Sequence, residues 1–563
     1  MRNSVSDQSF VMESDDEEHQ LGGSEEEEEE EESDGSSSCG SPRVAEPAGG
    51  GHPGSYASHQ WPQSYRQSMD IYSSVQSPSL SGFLGTPTLS RLSSSFLAAS
   101  FRGKPPPEIL KPLLPTAVPA ADSDNDRVDD ARKSSHQYLP PVRKASSLFK
   151  IPEDKKPLVV GGGGGHEVGP YRQCSYTQGV MNGVNVLCGV GILSTPYAVR
   201  QGGWLGLVIL AVLAVLAWYT GVLLRRCLDS KEGLETYPDI GHAAFGTPGR
   251  IVISIILYME LYACCVEYLI LESDNLSKLF PDAHLTVGGF SLDAHVLFAI
   301  LTTLVVMPTT WLRDLSCLSF ISAGGVVASI VIVACLFWAG LVDHVGVNKS
   351  EGTALNLPGI PIAIGLYGYC YSGHGVFPNI YSSLKKSNQF NAVLFTCIAL
   401  STVLFAGAAV MGYIMFGETT ESQFTLNMPP NLMSSKIAVW TTVTNPITKY
   451  ALTMTPLALS LEELLPPNRQ TYRNIIMLRS ALVLSSLVVA LSVPFFGLVM
   501  SLVGSLLTMF VAYILPCACF LAILRSKVTW YQIVLCVFII VVSLCCAGVG
   551  TYSSLSKIIQ NYQ

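Results

Sequence analysis

The sequence predicts an all-α polytopic membrane protein of about eleven transmembrane helices behind a disordered polar tail. Three observations carry this. Residues 171–563 divide into apolar stretches of roughly the 20 residues that cross a bilayer as a helix. The whole chain is only 14% charged, against about 25% for soluble proteins. Two of the apolar stretches, five apart, are interrupted by Gly and Pro. Paired interruptions of this kind mark inverted repeats with a binding site between them, here between the first and sixth spans of two five-helix repeats. An eleventh span stands outside the repeat.

Residues 1–170 are rich in Ser, Pro, Gly and acid and show no sustained period. Such a composition buries too little apolar surface to offset the entropy of ordering, so a disordered acidic, Ser-rich cytosolic tail is expected. The tail, with its run Glu25–Glu32, largely sets the net charge of −9, and no nucleic-acid partner is expected. The opening residues hold no apolar h-region, so no cleavable signal is expected. Ser93–Ser95 follow Arg91, and Ser146–Ser147 follow Arg143 and Lys144, which offers kinases or tail-binding regulatory proteins a target. Gly161–Gly165 reads as a flexible linker. Glu108–Leu114 is only loosely like an acidic dileucine sorting signal.

The transmembrane domain, 171–555, is read as spans at 176–199, 203–224, 250–271, 292–311, 317–341, 358–382, 389–414, 436–458, 479–496, 498–524 and 530–552. The split between the ninth and tenth rests on the short turn Pro494–Gly497. With the tail inside, twelve Lys and Arg fall on cytoplasmic connections, Arg225, Arg226, Lys385 and Lys386 among them, against five on the other side. This follows the positive-inside rule. It leaves 556–563 as a short non-cytosolic C-terminus, with the sequons at Asn275 and Asn348 on that same face. Most of the 15 Cys lie in apolar spans as small filler, and Cys517-Ala-Cys519 lacks a second pair at zinc spacing, so no metal is expected.

The first span carries Asn182 and Asn185, and Gly189, Gly191, Ser194 and Pro196 crowd its second half. In a helix interior Gly costs about 1 kcal/mol and Pro about 3 kcal/mol relative to Ala. Broken backbone at membrane depth is tolerated where it is buried in protein or lines a cavity. A break is expected at Cys188–Ile192, with the N–H groups beyond it free to hold a carboxylate. The competing reading is a packing helix, since Gly179 and Gly183 have GxxxG spacing. The sixth span repeats the pattern with Gly365, Gly368, Gly373, Gly375 and Pro378, and adds Tyr367, Tyr369 and Tyr371.

Four ionisable residues inside spans are candidates for proton coupling, because charge in a membrane marks function by default. His374 lies in the second break and titrates near working pH, in a proton-linked or a structural role. Glu260 and Glu267, seven apart, share a helix face as proton carriers, partners of a substrate amine, or assembly contacts. Lys449 follows Asn445-Pro446, which is expected to break the eighth span. It is read as a partner of a third-span Glu, as an occupant of the place where sodium-coupled relatives bind their ion, or as a snorkelling cation. Gly161–Gly165 lacks the Lys-Ser/Thr ending of a P-loop. No enzyme signature or cofactor is expected, and the energy source is an ion gradient.

Gly189–Ala198 followed by Gly202-Gly-Trp204 resembles the first-helix motif of the amino acid/auxin permease family. Tyr237–Gly246, Tyr367–Pro378 and Asn445–Ala451 are similar to plant vacuolar amino acid transporters of the vesicular inhibitory amino acid transporter branch. The resemblance covers roughly 171–555 and implies the amino acid–polyamine–organocation fold. It implies proton-coupled amino acid transport across an endomembrane, the vacuolar membrane being expected, and the paired broken spans favour alternating access over a continuous pore. The resemblance places substrate contacts at Gly189, Val190, Gly191, Ile192 and Leu193, and at Ser372, Gly373, His374 and Gly375; the polar Asn185 and Tyr371 of the same two spans are expected to join them. An amino acid sensor signalling through its tail, and a carrier of auxin-like organic anions, are the alternatives.

Overall fold

Each of the expected spans is helical in the computed structural model, which describes residues 61–73, 174–287, 290–312, 324–346 and 352–563. The phosphorylation candidates, the glycine linker, the dileucine-like stretch and Asn348 lie outside the described residues.

The first span is two helices, Tyr176–Leu187 and Gly191–Gly202, bent by 54° at the break. The Ser175 side chain caps the first half by accepting from the Gln178 N–H. The second span is Gly206–Leu228. The third, Tyr237–Leu279, begins well before the expected 250, because its entry motif is itself helical. Thr236 and Asp239 form a capping box there. Gly246, at φ +69°, bends the chain ahead of Pro248, and Arg250 reaches back across the bend to Asp239 at 2.5 Å. Such a φ suits Gly, which has no Cβ to clash.

Ala294–Thr310 and Gly325–Leu341 are the fourth and fifth spans. A small hairpin that the sequence reading did not foresee joins the third to the fourth, with Leu285–Val287 antiparallel to Phe290–Leu292. The sixth span is broken into Ile360–Tyr369 and Phe377–Ser383. Phe390–Phe416 is the seventh. The eighth, Met433–Leu464, runs through Asn445-Pro446 without the expected break. Pro removes one backbone hydrogen bond, and neighbouring helices and hydroxyls make that tolerable inside a membrane bundle. Tyr472–Ser492, Phe496–Ile523 and Trp530–Gln560 complete the set, with the ninth and tenth parted at the expected turn. Residues Gly504–Ile514 of the tenth are wound as a π-helix.

The seventh span packs against both halves of the first, and the first half of the sixth packs against the second half of the first. The two breaks therefore face one another inside one continuous apolar core. At the tail side, Cys174 N–H donates to the Ser383 carbonyl at 3.0 Å, and Lys385 N–H to the Cys174 carbonyl at 3.0 Å. The entry of the first span and the exit of the sixth thus share one face.

Two expectations are corrected. Asn275 is not on a loop: it is buried in the third span, donating to Leu271 and Gln423 and accepting from Thr425, so no glycan fits there. The tail is not without order throughout, because Tyr65–Ser73 is a helix seated on the membrane domain.

Candidate functional site

The first break leaves Cys188, Gly189 and Val190 between two half-helices. A half-helix that ends in mid-membrane exposes carbonyls, and one that starts there exposes N–H groups. The exposed carbonyls are taken by neighbouring spans. Lys449 of the eighth span donates to the Asn185 carbonyl at 3.2 Å, and Ser329 of the fifth donates to the Cys188 carbonyl at 2.8 Å. Lys449 is 6% exposed and does not snorkel, and among the described residues it forms no ion pair with a third-span Glu.

At the start of the second half-helix, Val190, Ile192 and Leu193 are buried. Among the described residues a Cβ built on Gly189 meets nothing within 4 Å, so the break opens onto space there. Gly191 is different: its Cβ would lie 3.3 Å from Cys370 Sγ, against the second break. The first turn carries the positive end of the half-helix dipole, where a carboxylate is favoured. The expected contact at Leu193 is corrected, since its N–H donates to the Val190 carbonyl at 3.1 Å, which leaves the N–H groups of Gly191 and Ile192.

The second break spans residues 370–376 as consecutive turns. Two of its expected ligands are held by the scaffold. The Tyr371 hydroxyl lies 2.9 Å from Thr402 and donates to the Leu210 carbonyl at 3.3 Å. His374 Nε2 lies 2.9 Å from Thr220 Oγ1 and 3.2 Å from the Ala217 carbonyl, both on the second span. Ser372 and Gly375 instead line a cavity of about 40 Å³ with Glu260, Cys264 and Tyr369. A Cβ on Gly373 would press on Phe377 and Leu187, so this Gly serves the packing of the turn.

Glu260 accepts from Thr508 at 2.8 Å, on the π-helical stretch of the tenth span. Glu267 is fully buried beside Tyr369, and among the described residues neither carboxylate oxygen has a hydrogen bond of normal geometry. The two acids share a face of the third span, and Glu260 is the one that reaches the cavity.

Three participants escaped the sequence reading. Ser329 is a single hydroxyl in an apolar span, with no local signal. Gly325 leaves room for its neighbours, since a Cβ there would lie 2.5 Å from Asn185 Oδ1 and 3.0 Å from Lys449 Nζ. Thr508 gave no sign of the π-helix that presents it. The tail helix did carry a signal, in the spacing of Trp61, Tyr65, Met69 and Tyr72.

A family model described as transmembrane amino acid transporter protein matches residues 172–556. Over 513 residues the chain is 58% identical to amino acid transporter AVT1C of Arabidopsis thaliana, covering 90% of this chain and 91% of that protein. It is 56% identical over 505 residues to amino acid transporter AVT1B of the same plant, covering 89% of each. The chain belongs to the transmembrane amino acid transporter family, a multi-pass membrane class that is not enzymatic. Among solved structures, MhsT in complex with L-phenylalanine aligns at a TM-score of 0.43 and 12% identity, over 67% of this chain and 98% of that one.

Proposed function

We propose that this protein carries amino acids across an endomembrane, the vacuolar membrane by its motifs, with its tail in the cytosol and protons as the coupling ion. One observation carries the choice of ion: the Lys449 ammonium sits on the carbonyl end of the first half-helix. In broken-helix carriers, unwound carbonyls and half-helix C-termini are where coupling cations bind. Here an amine of the chain and the Ser329 hydroxyl take those carbonyls, which argues against a sodium ion at that place. The substrate carboxylate is assigned to the N–H groups of Gly191 and Ile192, approached through the opening at Gly189, because the Leu193 N–H already donates to the Val190 carbonyl. Glu260 and Glu267 are the proton carriers. Alternating access follows from rocking of the repeats around the paired breaks. The Lys and Arg bias of the connections supports the cytosolic tail.

The test is uptake of a labelled amino acid mixture into liposomes holding the purified protein, under an imposed proton or sodium gradient. Accumulation that follows the proton gradient and collapses with a protonophore is expected. Accumulation driven by sodium alone would overturn the assignment of the ion. Saturable binding without accumulation under any gradient would overturn the carrier.

A further inference from the structure

Trp61, Tyr65, Met69 and Tyr72 recur at spacings of four, four and three, which places them on one helix face. That face enters the tail-side mouth of the membrane domain. Trp61, tilted, and Tyr65, edge-on, pack against Tyr258 of the third span, with ring centroids at 5.9 and 6.0 Å. Tyr65 and Met69 are 1% and 2% exposed, so the helix is inserted rather than laid on the surface.

Its polar groups are matched by the mouth. The Glu463 carboxylate accepts from the N–H groups of Gln63 and Ser64 at 2.9 and 2.5 Å, an anion at the positive end of the helix. Trp61 Nε1 donates to the Ser460 carbonyl at 2.8 Å. Asn379 Nδ2 donates to the Arg66 carbonyl and to Asp70 at 3.2 and 3.1 Å. Arg66 is ion-paired with Glu235 at the rim. The Tyr65 hydroxyl donates to the carbonyl of Gly375, inside the second break, at 3.0 Å.

Beneath the helix, Met69 and Tyr72 close the cavity of about 40 Å³ that holds Glu260, Cys264, Tyr369 and Ser372. That is space for roughly three water molecules. No amino acid fits between the tail helix and the second break while the helix is docked.

We infer that residues 61–73 are a removable plug that shuts the tail-side path to the broken helices. The helix has nine residues, and isolated helices shorter than about 12 residues are marginal in water. It is therefore formed by its dock and melts on release. The rim pair is half-exposed, so charge at Arg66 and Glu235 sets how often the plug leaves. The consequence for transport rests on the carrier reading above, whereas the closure does not.

The test uses the full-length chain in nanodiscs and a membrane-impermeant maleimide, with modification of Cys264 read by mass spectrometry. Arg66→Glu and Glu235→Arg are each expected to raise the rate of Cys264 modification about fivefold, the scale of losing one half-exposed ion pair. The double exchange restores protection in part, because Asp70, 4.0 Å from Arg66 one turn along the helix, also loses this partner. Modification equal to wild type in both single variants would overturn the plug. Loss of protection that the double exchange fails to restore even in part would also overturn it, as general loosening. Uptake of the labelled amino acid mixture by the same proteins is expected to rise in the single variants. Raised Cys264 modification with unchanged uptake would remove the plug as a gate on transport.

Discussion

Lys449 Nζ donates to the carbonyl of Asn185, 3.2 Å away, joining the unbroken eighth span to the broken first one. The fifth span closes the arrangement, because Gly325 is too small to push the two apart. Removing the amine leaves a buried carbonyl at the end of a half-helix with nothing to receive, at a cost of about 1–3 kcal/mol. Lys449→Met is expected to insert and fold with a lowered melting temperature and to lose roughly tenfold or more of its uptake, about 1.4 kcal/mol per decade. Wild-type uptake by that variant would show that the link is dispensable.

The two glycines of the first break separate by what surrounds them. Gly189 faces open space and Gly191 faces Cys370. Gly189→Leu is expected to leave melting temperature near that of wild type while abolishing uptake, since the side chain fills the approach to the N–H groups. Gly191→Leu is expected to lower the melting temperature as well, because it pries the two breaks apart. Uptake unchanged in Gly189→Leu would remove the proposed approach.

Much of this was legible in the residues. Gly and Pro in mid-span located both breaks, because no apolar anchor helix tolerates them so densely. Periodicity and length gave the spans, with the entry helix at Tyr237 and the hairpin at Leu285 as the misses. What failed was tertiary. Asn445-Pro446 reads as a break, yet the helix continues through it from Met433 to Leu464. Tyr371 and His374 sit in the right turn, yet they point at the second and seventh spans. Which way a side chain faces inside a break is set by packing, and no local pattern encodes it. The tail helix was missed for the opposite reason: its aromatic face was present, diluted by polar sequence on either side.

Glu260 and Glu267 divide in the same way. Glu260 lines the cavity before the second break, hydrogen-bonded by Thr508. That opening lets Glu260 exchange its proton directly, with Glu267 further along the same helix face. Glu260→Gln is expected to abolish stimulation of uptake by a proton gradient while leaving substrate exchange, measured as counterflow, largely intact. Glu267→Gln keeps the shape of a fully buried group and is expected to alter the pH dependence of uptake. Gradient-driven accumulation retained in both variants would rule out the pair as proton carriers.

His374 tests whether an intramembrane histidine must be part of a proton path. The Ala217 carbonyl beside Nε2 can only accept, and the Thr220 hydroxyl donates to the Leu216 carbonyl at 2.9 Å. Nε2 therefore carries the proton and donates, which fixes the ring in one tautomer against the second span. Phe377 packs on the ring at 4.8 Å and Tyr513 at 6.4 Å, and the residue is fully buried. A second proton would place a buried cation here with only the Tyr371 carbonyl on its other side and without a carboxylate among the contacts described. His374→Gln preserves an N–H donor and is expected to keep the pH profile of uptake. His374→Ala is expected to lose about 2–4 kcal/mol of stability from the cavity and the lost hydrogen bond. A pH profile flattened by Gln, with melting temperature near wild type, would instead place His374 on the proton path.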